Sequence, residues 1–220
     1  DEVFQTAPII NQNITVTGGG EKTTFSVASS YLTQDGIVGG PKANFRRYTN
    51  RVNLNSEIFE DFNVLANLLY TGTNRKTLPE NSLGSVLFNA LNTAPTFAVK
   101  ERNGEYTLAE GLGNEVINPL AQVENNFNQI DVNKISGKLG ASYVFLNDFT
   151  AETSFQFNYA EVKGKIFIPT VFYGSGKVFN NTGRPTLLVN KDIFRDYTFD
   201  AFINYDKTLG EDHNIKGTPC

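Results

Sequence analysis

Apolar and polar side chains alternate with a period of two along seven stretches of the chain, a pattern that predicts β-strands with one apolar and one polar face. The alternating apolar positions run over residues 10–16, 25–31, 48–54, 62–70, 135–145, 149–159 and 197–205. An eighth strand is expected to begin near Asn214. The sequence therefore predicts a chain built almost entirely of strands.

The predicted connections between the strands alternate between short and long. Tight turns are expected at residues 18–22, 57–60, 146–148 and 207–212, and longer connections at 32–44, 72–132 and 162–192. Transmembrane barrels have short periplasmic turns, longer extracellular loops and tilted strands of ~9–11 residues or more. The predicted fold is therefore all-β, a segment of an antiparallel up-and-down transmembrane β-barrel with about seven to eight strands, long extracellular loops and one short loop helix.

Charged residues of the predicted strands all fall opposite the apolar set. A Lys or Arg that faces lipid at mid-bilayer costs about 2–4 kcal/mol, whereas one that faces the lumen is tolerated. The apolar face is expected to carry no charge, and Tyr or Phe near its ends suits aromatic girdles. The charges predicted to face the lumen are Arg47, Arg51, Lys134, Lys138, Glu152, Asp196, Asp200 and Asp206. The residues predicted to face lipid are Val52, Leu54, Val64, Leu68, Leu139, Phe155, Phe157, Phe199 and Ile203.

The third hairpin allows its register to be predicted as well. Its apolar sets at 135–145 and 149–159 both occupy odd positions, and partners across two strands must share a face. A three-residue loop at 146–148 satisfies this condition and places a ring over a glycine. The predicted partners are Phe145 with Phe149, Leu139 with Phe155, and Gly137 with Phe157.

The long connection at 72–132 contains a helical pattern. Ser82 is the expected N-cap, Pro95 ends the helix, and the apolar positions at helical spacing are Leu83, Val86, Leu87, Ala90 and Leu91. Either the loop simply folds over its own small core, or it also shapes a ligand site at the mouth of the barrel. The exposed aromatic candidates for stacking on a sugar or packing on a partner are Phe97, Tyr106, Phe172 and Tyr173.

Composition and charge argue against several other functions. The formal net charge is −4 with scattered cations, so no basic stripe marks a nucleic-acid interface. The single cysteine, Cys220, allows no disulfide framework or cysteine-rich metal site. His213 is the one histidine, which argues against a histidine metal site or a Ser/His/Asp triad. No metal or other cofactor is therefore predicted.

Catalysis is not expected either. Asp196 and Asp200 could be compared with the paired acids of a glycosidase, but on a barrel strand they simply line the lumen. The stretch GGGEKTT at 18–24 has no Gly directly before its Lys and is followed by a strand, so it is interpreted as a hairpin turn and not a phosphate loop. The chain is therefore predicted not to be an enzyme.

A soluble extracellular β-sandwich that binds carbohydrate is the alternative interpretation, because one buried and one solvated face give the same alternation. Sandwich strands usually run about 5–6 residues, whereas the alternation at 149–159 is longer. The solvated face of a sandwich also normally carries more Lys and Glu. The barrel segment is therefore preferred.

Several ordered motifs resemble the SusC/RagA family of TonB-linked outer-membrane receptors over nearly the whole chain. They are GGGEKTTFSVASSYLTQDGIV (18–38), NFRRYTNRVNLNS (44–56), LLYTGTNRKTLPE (68–80), ALNTAPTFAV (90–99), NGEY (103–106), NPLA (118–121) and KTLGEDHNI (207–215). The resemblance implies a 22-stranded barrel in the bacterial outer membrane that imports glycans or peptides. It also implies a SusD-like lipoprotein as partner, with TonB engaged through parts of the longer protein.

The resemblance also suggests how the chain is divided. Residues 1–8 look like the link between a plug and the first barrel strand, and 9–215 like barrel strands and loops. Residues 216–220, which include Pro219, fit poorly as a central strand. The absence of Met at position 1 suggests a piece of a longer protein, and no plug is expected within it.

Overall fold

The computed structural model describes residues 2–79, 83–209 and 213–218, and its strands form one eight-stranded sheet. The strands follow each other in chain order, and every neighbouring pair is antiparallel. This topology confirms the predicted all-β, up-and-down fold. It does not fit the soluble β-sandwich, which requires two sheets packed face to face.

The strands are longer than the hydrophobic alternation alone indicates. Their bounds are β1 (Ile9–Gly19), β2 (Thr23–Asp35), β3 (Asn44–Phe59), β4 (Phe62–Lys76), β5 (Phe127–Phe145), β6 (Phe149–Ile168), β7 (Thr186–Leu209) and β8 (His213–Gly217). Two short helices, α1 (Val86–Asn92) and α2 (Pro119–Glu124), lie between β4 and β5, and a 3₁₀ turn (Gly40–Lys42) lies between β2 and β3.

The predicted long connections were therefore too long. The observed connections occupy residues 36–43, 77–126 and 169–185. They are shorter because β2, β4, β5, β6 and β7 all continue past the last alternating apolar residue. β7 alone contains 24 residues, about twice the ~9–11 needed to span a bilayer. In the extensions of β5 and β6 the apolar side switches: the apolar face continues into charged residues such as Asp131 and Lys163, and Val132, Val162 and Ile166 lie on the opposite face. The pattern of the lower strand therefore does not continue, although the backbone ladder does. Of the last predicted tight turn, 207–212, residues 207–209 belong to β7, and residues 210–212 lie outside the described residues.

The predicted register of the third hairpin is confirmed. Phe145 pairs with Phe149, Leu139 with Phe155 and Gly137 with Phe157. A β-carbon added at Gly137 would lie 2.5 Å from the Phe157 ring and 2.9 Å from a Leu68 methyl group. Only glycine leaves room for that ring at this position, which helps to fix the register.

The pairing divides the proposed site residues between the two faces of the sheet. The row Val52, Leu68, Gly137, Phe157 and Tyr197 runs across five strands, and the row Leu54, Ala66, Leu139, Phe155 and Phe199 lies beside it. All nine predicted lipid-facing residues share this side, which we call the apolar face. All eight predicted lumen-facing charges lie on the opposite side, the polar face, which also carries Phe194 and Phe202.

Aromatic residues border the apolar face at both ends. Tyr70 and Tyr159 flank Ile135 in one row, and Phe145, Phe149 and Tyr205 form a row at the tight-turn end. The ring centroids of Phe149 and Tyr205 are 4.8 Å apart. The two rows are ten residues apart along β5, or ~33 Å of strand. At a tilt of ~45° this corresponds to a height of ~23 Å, close to the ~25 Å apolar band of outer-membrane barrels.

The expectation that the apolar face carries no charge was wrong for the strand extensions. Level with or beyond the Tyr70–Tyr159 row, the same side carries Arg46, Lys76, Asp131, Glu161, Lys163, Lys165, Lys191 and Arg195. The charge-free part of the face is therefore the band between the two aromatic rows.

Both ends of the chain take part in the structure. The segment 2–8 lies along the connection between β2 and β3, where Gln5 donates from its backbone to the Ile37 carbonyl at 2.9 Å and from its side chain to the Gly36 carbonyl at 2.8 Å. β8 continues through Lys216, opposite Asp206, and Gly217, opposite Tyr205. β8 thus reaches further than the sequence suggested.

Candidate functional site

The connections 83–126 and 169–185 fold together at the long-loop end of the sheet, and we call this unit the loop cluster. Its small core consists of Ile117, Ala121 and Tyr173, with Tyr106, Val171 and Phe179 packed against it. Backbone hydrogen bonds join the two connections, including Ala109 to the Tyr173 carbonyl at 3.1 Å and Val178 to the Asn114 carbonyl at 3.2 Å. Both connections therefore belong to one folded unit with its own interior.

Helix α1 begins later than the sequence predicted. Ser85 is its N-cap and accepts a hydrogen bond from the Phe88 backbone at 3.2 Å, whereas the predicted cap, Ser82, lies outside the described residues. The helix ends at Asn92, before Pro95. Val86 is buried, while Leu87 and Leu91 are exposed. The apolar spacing located the helix correctly, but only part of that stripe is in its core.

A buried amide pair connects α1 to α2. The Asn89 side chain is fully buried, donates to the Gln122 side-chain carbonyl at 2.7 Å and accepts from the Ile117 backbone at 3.1 Å. Gln122 in turn donates to the Gly84 carbonyl at 2.5 Å. A buried polar group costs about 1–3 kcal/mol when it loses its partner, so this pair fixes the relative position of the two helices.

Asn118 performs two functions at the start of α2. Its side-chain oxygen accepts from the backbone groups of Leu120 and Ala121 at 3.1 and 3.3 Å, and so caps the helix. Its amide nitrogen donates to the carbonyls of Val99 and Thr107 at 2.8 and 3.2 Å. One residue thus joins the turn at 99–107, which is closed by a bridge between Lys100 and Tyr106, to the helix. The Asn118–Pro119 pair is a recognisable helix start, a signal that the sequence interpretation did not use.

The second connection is held mainly by three side chains that bond to backbone. Asn180 accepts from the Tyr173 backbone at 2.7 Å and donates to the Gly174 carbonyl at 2.7 Å, and Asn181 donates to the Pro169 carbonyl at 2.7 Å. The buried Lys177 ammonium donates to the carbonyls of Leu112 and Gly113 at 3.1 and 2.8 Å. Burial lowers the pKa of Lys177, while nearby Glu110 opposes that shift.

The four aromatic candidates lie in different environments. Phe172 is 50% exposed, and Phe97 is partly exposed. Tyr106 packs against the core with the Lys100 ammonium 4.8 Å from its ring centroid. The expectation that Tyr173 is exposed was wrong, because Tyr173 is 8% exposed and lies in the core. Burial raises its pKa to about 12. Of the four candidates, Phe172 therefore offers the most exposed ring.

A cleft of about 530 Å³ lies beside the loop cluster, where the β2–β3 connection meets the start of β5. The Lys42 ammonium is 3.6 Å from the centroid of the Phe127 ring and donates to the carbonyls of Glu124 and Asn126 at 3.0 and 3.1 Å. Burial lowers the pKa of Lys42, while attraction to Glu124 opposes this shift and repulsion from Lys76 adds to it. Lys42 thus ties the shorter connection to the end of α2.

The carboxylates considered for catalysis do not form a catalytic pair. Asp196 is opposite Asn158, and Asp200 is opposite Ser154. Four residues of extended strand separate them, which places their α-carbons ~13 Å apart. Among the described residues, no group of three or more His, Cys, Asp or Glu is arranged to hold a metal ion.

No helix in the described part of the chain is long and apolar enough to cross a membrane.

Comparison with known proteins identifies relatives of one kind. The chain is 31% identical over 215 residues to "TonB-dependent receptor P39" of Formosa agariphila, covering 93% of this chain and 18% of that protein. It is 26% identical over 238 residues to "TonB-dependent receptor SusC" of Bacteroides thetaiotaomicron, covering 96% of this chain and 22% of the relative. The chain thus spans about a fifth of the length of these relatives. No family model matches it.

Solved structures show the same fold. The structure of the RagAB peptide transporter superposes with a TM-score of 0.74 at 20% sequence identity, covering 97% of this chain and 24% of that one. The RagAB peptide importer in the "closed-closed" state gives a TM-score of 0.73 at 21% identity with the same coverage. The fold of this chain therefore matches that of about a quarter of each of those longer chains.

Proposed function

We propose that this chain, a SusC/RagA-like segment of a TonB-dependent outer-membrane receptor, forms about a third of a barrel wall and part of its extracellular mouth. In this arrangement the band between the aromatic rows of the apolar face contacts lipid, and the polar face lines the lumen. The tight turns are periplasmic and the loop cluster is extracellular. The observation that carries the proposal is the register, which leaves one side of the sheet free of charge between the two aromatic rows and places the strand charges at that level on the other side.

The orientation also assigns the first residues. Segment 2–8 lies along the β2–β3 connection, so it belongs to the extracellular rim instead of reaching β1 from the periplasmic end as a plug link. Residues 9–79, 83–209 and 213–217 are then barrel wall and loops. Energy coupling through TonB is assigned to parts of the receptor outside this chain.

The complete receptor is proposed to import oligosaccharides or peptides together with a SusD-like lipoprotein. The names of the relatives support this class, since they include SusC and the RagAB peptide transporter. The rigid loop cluster supports it physically, because side-chain bonds to backbone hold the exposed Phe172 on a defined surface. Aromatic faces of this kind suit stacking on a sugar or packing on a peptide.

Spin labels on two adjacent residues of β5 test the orientation in the full-length receptor reconstituted in bilayers. Leu139→Cys is on the apolar face and Lys138→Cys on the polar face, at nearly the same depth. The label at 139 is expected to be accessible to lipid-soluble oxygen and protected from a water-soluble nickel relaxant, and the label at 138 is expected to be less accessible to oxygen. Equal accessibility at both sites, or the reverse, would contradict the proposed orientation.

A separate measurement tests the cargo. Binding of oligosaccharide and peptide libraries to the full-length receptor and its lipoprotein partner is expected to weaken on Phe172→Ala. Phe4→Ala, which removes another exposed ring on the segment 2–8, is the matched control. A receptor that binds equally well with and without the Phe172 ring would remove this residue from the proposed ligand surface.

A further inference from the structure

The charges that interrupt the apolar face are not distributed at random. On β3–β7 none lies within the band between the aromatic rows; Lys207, paired with Asp148, lies beyond the tight-turn row, and all the others lie at the Tyr70–Tyr159 row or beyond it, towards the loop cluster. These others comprise two carboxylates, Asp131 and Glu161, and six cations: Arg46, Lys76, Lys163, Lys165, Lys191 and Arg195. This surface therefore has a formal charge of +4, although the whole chain has a net charge of −4. We call the six cations the cationic belt.

The register brings the belt residues together across neighbouring strands. Arg46, Asn74, Asp131, Lys163 and Lys191 form one row. Lys76, Gln129 and Lys165 are in the next row towards the loops, and Arg195 is level with Tyr159. The cations therefore form a patch spanning five strands.

Part of this positive charge is not neutralised by the sheet itself. Lys163 and Lys191 share the Glu161 carboxylate at 2.6 and 2.7 Å. Asp131 bonds to the amides of Asn74 and Gln129. Among the described residues, none of the five ion pairs includes Arg46, Lys76, Lys165 or Arg195. These four cations are the ones available to an outside anion.

The height of the belt matches a lipid headgroup region. Asp131 is four residues from Ile135 along β5, or ~13 Å of strand and ~9 Å of height at a tilt of ~45°. Ile135 itself is in the row of Tyr70, whose hydroxyl donates to Asn133 at 2.9 Å, away from the apolar band. Long Lys and Arg side chains can bend from this level towards the bilayer surface. The belt thus lies where the polar part of a surrounding lipid begins.

We propose that the cationic belt binds the phosphate groups of lipids in the outer leaflet and so anchors the barrel wall at a fixed depth. Phosphate suits Lys and Arg because charge-assisted hydrogen bonds to its oxygens are short and strong. Basic residues beside a membrane attract anionic headgroups in the same way. The inference rests on the proposed orientation, in which this side of the sheet faces lipid.

The test uses the full-length receptor, stripped of lipid in detergent, with fluorescent lipid A in mixed micelles as the probe. The belt variant carries Arg46→Gln, Lys76→Gln, Lys165→Gln and Arg195→Gln. The control variant removes four cations from the polar face of the same sheet, on β3 and β5: Arg47→Gln, Arg51→Gln, Lys134→Gln and Lys138→Gln. Circular dichroism and heat-modifiable gel migration confirm that both variants are folded.

The belt variant is expected to bind lipid A at least about tenfold more weakly than the parent, and the control variant to remain within about twofold of it. Lipid A with its phosphates removed is expected to bind the parent as weakly as lipid A binds the belt variant. Equal affinity of the belt variant and the parent for lipid A would overturn the inference. So would complete displacement of lipid A from the parent by inorganic phosphate at the same concentration of phosphate groups. Weaker binding by the control variant alone would instead contradict the proposed orientation.

Discussion

Gly137 shows how a single residue can determine the register of two long strands. A methyl group at this position would be 2.5 Å from the Phe157 ring and 2.9 Å from Leu68, so both neighbours would have to move. Gly137→Ala is therefore expected to destabilise the barrel by about 1–3 kcal/mol, the usual cost of an overpacked site. Urea unfolding of the full-length receptor, followed by gel migration, measures the change.

Gly164→Ala is the matched control, because a β-carbon there would have its nearest neighbour at 3.9 Å. If the two substitutions shift the urea midpoint equally, the packing of the Phe157 ring on Gly137 does not explain the cost.

Tyr173 gives the loop cluster a predicted dependence on alkaline pH. Its pKa is raised to about 12 by burial, and a hydrogen bond to Asn125 opposes the shift. Below pH ~10 the hydroxyl is protonated in both the folded and the unfolded cluster, and stability is unchanged. Between pH ~10 and ~12 only the unfolded cluster loses the proton, so the cluster is expected to become less stable by about 2–3 kcal/mol.

The measurement is the rate at which a protease cleaves the loops of the receptor during a brief exposure, determined at a series of pH values. Tyr173→Phe, which cannot ionise, is expected to reduce the alkaline increase in cleavage. A Tyr173→Phe receptor with an unchanged alkaline profile would show that another group is responsible.

At the scale of elements, α1 and α2 depend on side-chain amides more than on apolar burial. Asn89→Ala leaves the Gln122 oxygen and the Ile117 backbone group without their partner, at a cost of about 1–3 kcal/mol for each buried group. We expect faster hydrogen exchange in 83–126 and an unchanged rate in β3–β6. Asn92→Ala in the same helix is the control, since its exposed amide bonds only to the Phe88 carbonyl at 2.8 Å.

These elements also show what the sequence could and could not predict. The alternation of apolar and polar residues located all seven main strands. Because both apolar sets of the third hairpin occupy odd positions, it also predicted the partners of Gly137 and Phe145. It did not detect the strand extensions, where charged residues such as Lys163 and Lys191 occupy the side that is apolar further down. It also missed Asn89 and Asn118, because a buried amide network has no periodic signature, and it placed Tyr173 on a surface where the fold has a core.

At the scale of the whole molecule, the sheet has two open edges. β1 and β8 each pair with one neighbour in the described structure, and exposed residues such as Ile14 and Val16 lie along β1. Unpaired edges and an uncovered apolar face promote association between chains. The isolated chain is therefore expected to aggregate without detergent, and analytical ultracentrifugation checks this. A monodisperse soluble monomer would contradict the barrel-wall assignment.

The assignment of the two faces predicts opposite effects of one charge at two neighbouring positions of the wall. Leu139→Arg places a cation in the middle of the apolar band and is expected to cost about 2–4 kcal/mol, because lipid cannot solvate it. Gln156→Arg places the same side chain on β6, opposite Lys138 on the polar face, where water in the lumen solvates it. The expected cost there is about 0–1 kcal/mol, mainly from repulsion between the two cations.

Urea unfolding of both full-length variants in the same lipid vesicles measures the difference. A larger loss of stability for Gln156→Arg than for Leu139→Arg would reverse the two faces, and equal losses would mean that the bilayer does not distinguish them. The expected order follows from the register, since Leu139 pairs with Phe155 between Ala66 and Phe199, with no charge in that row from β3 to β7. A cation at 139 therefore has no counter-ion in its own row, and lipid is its surrounding medium.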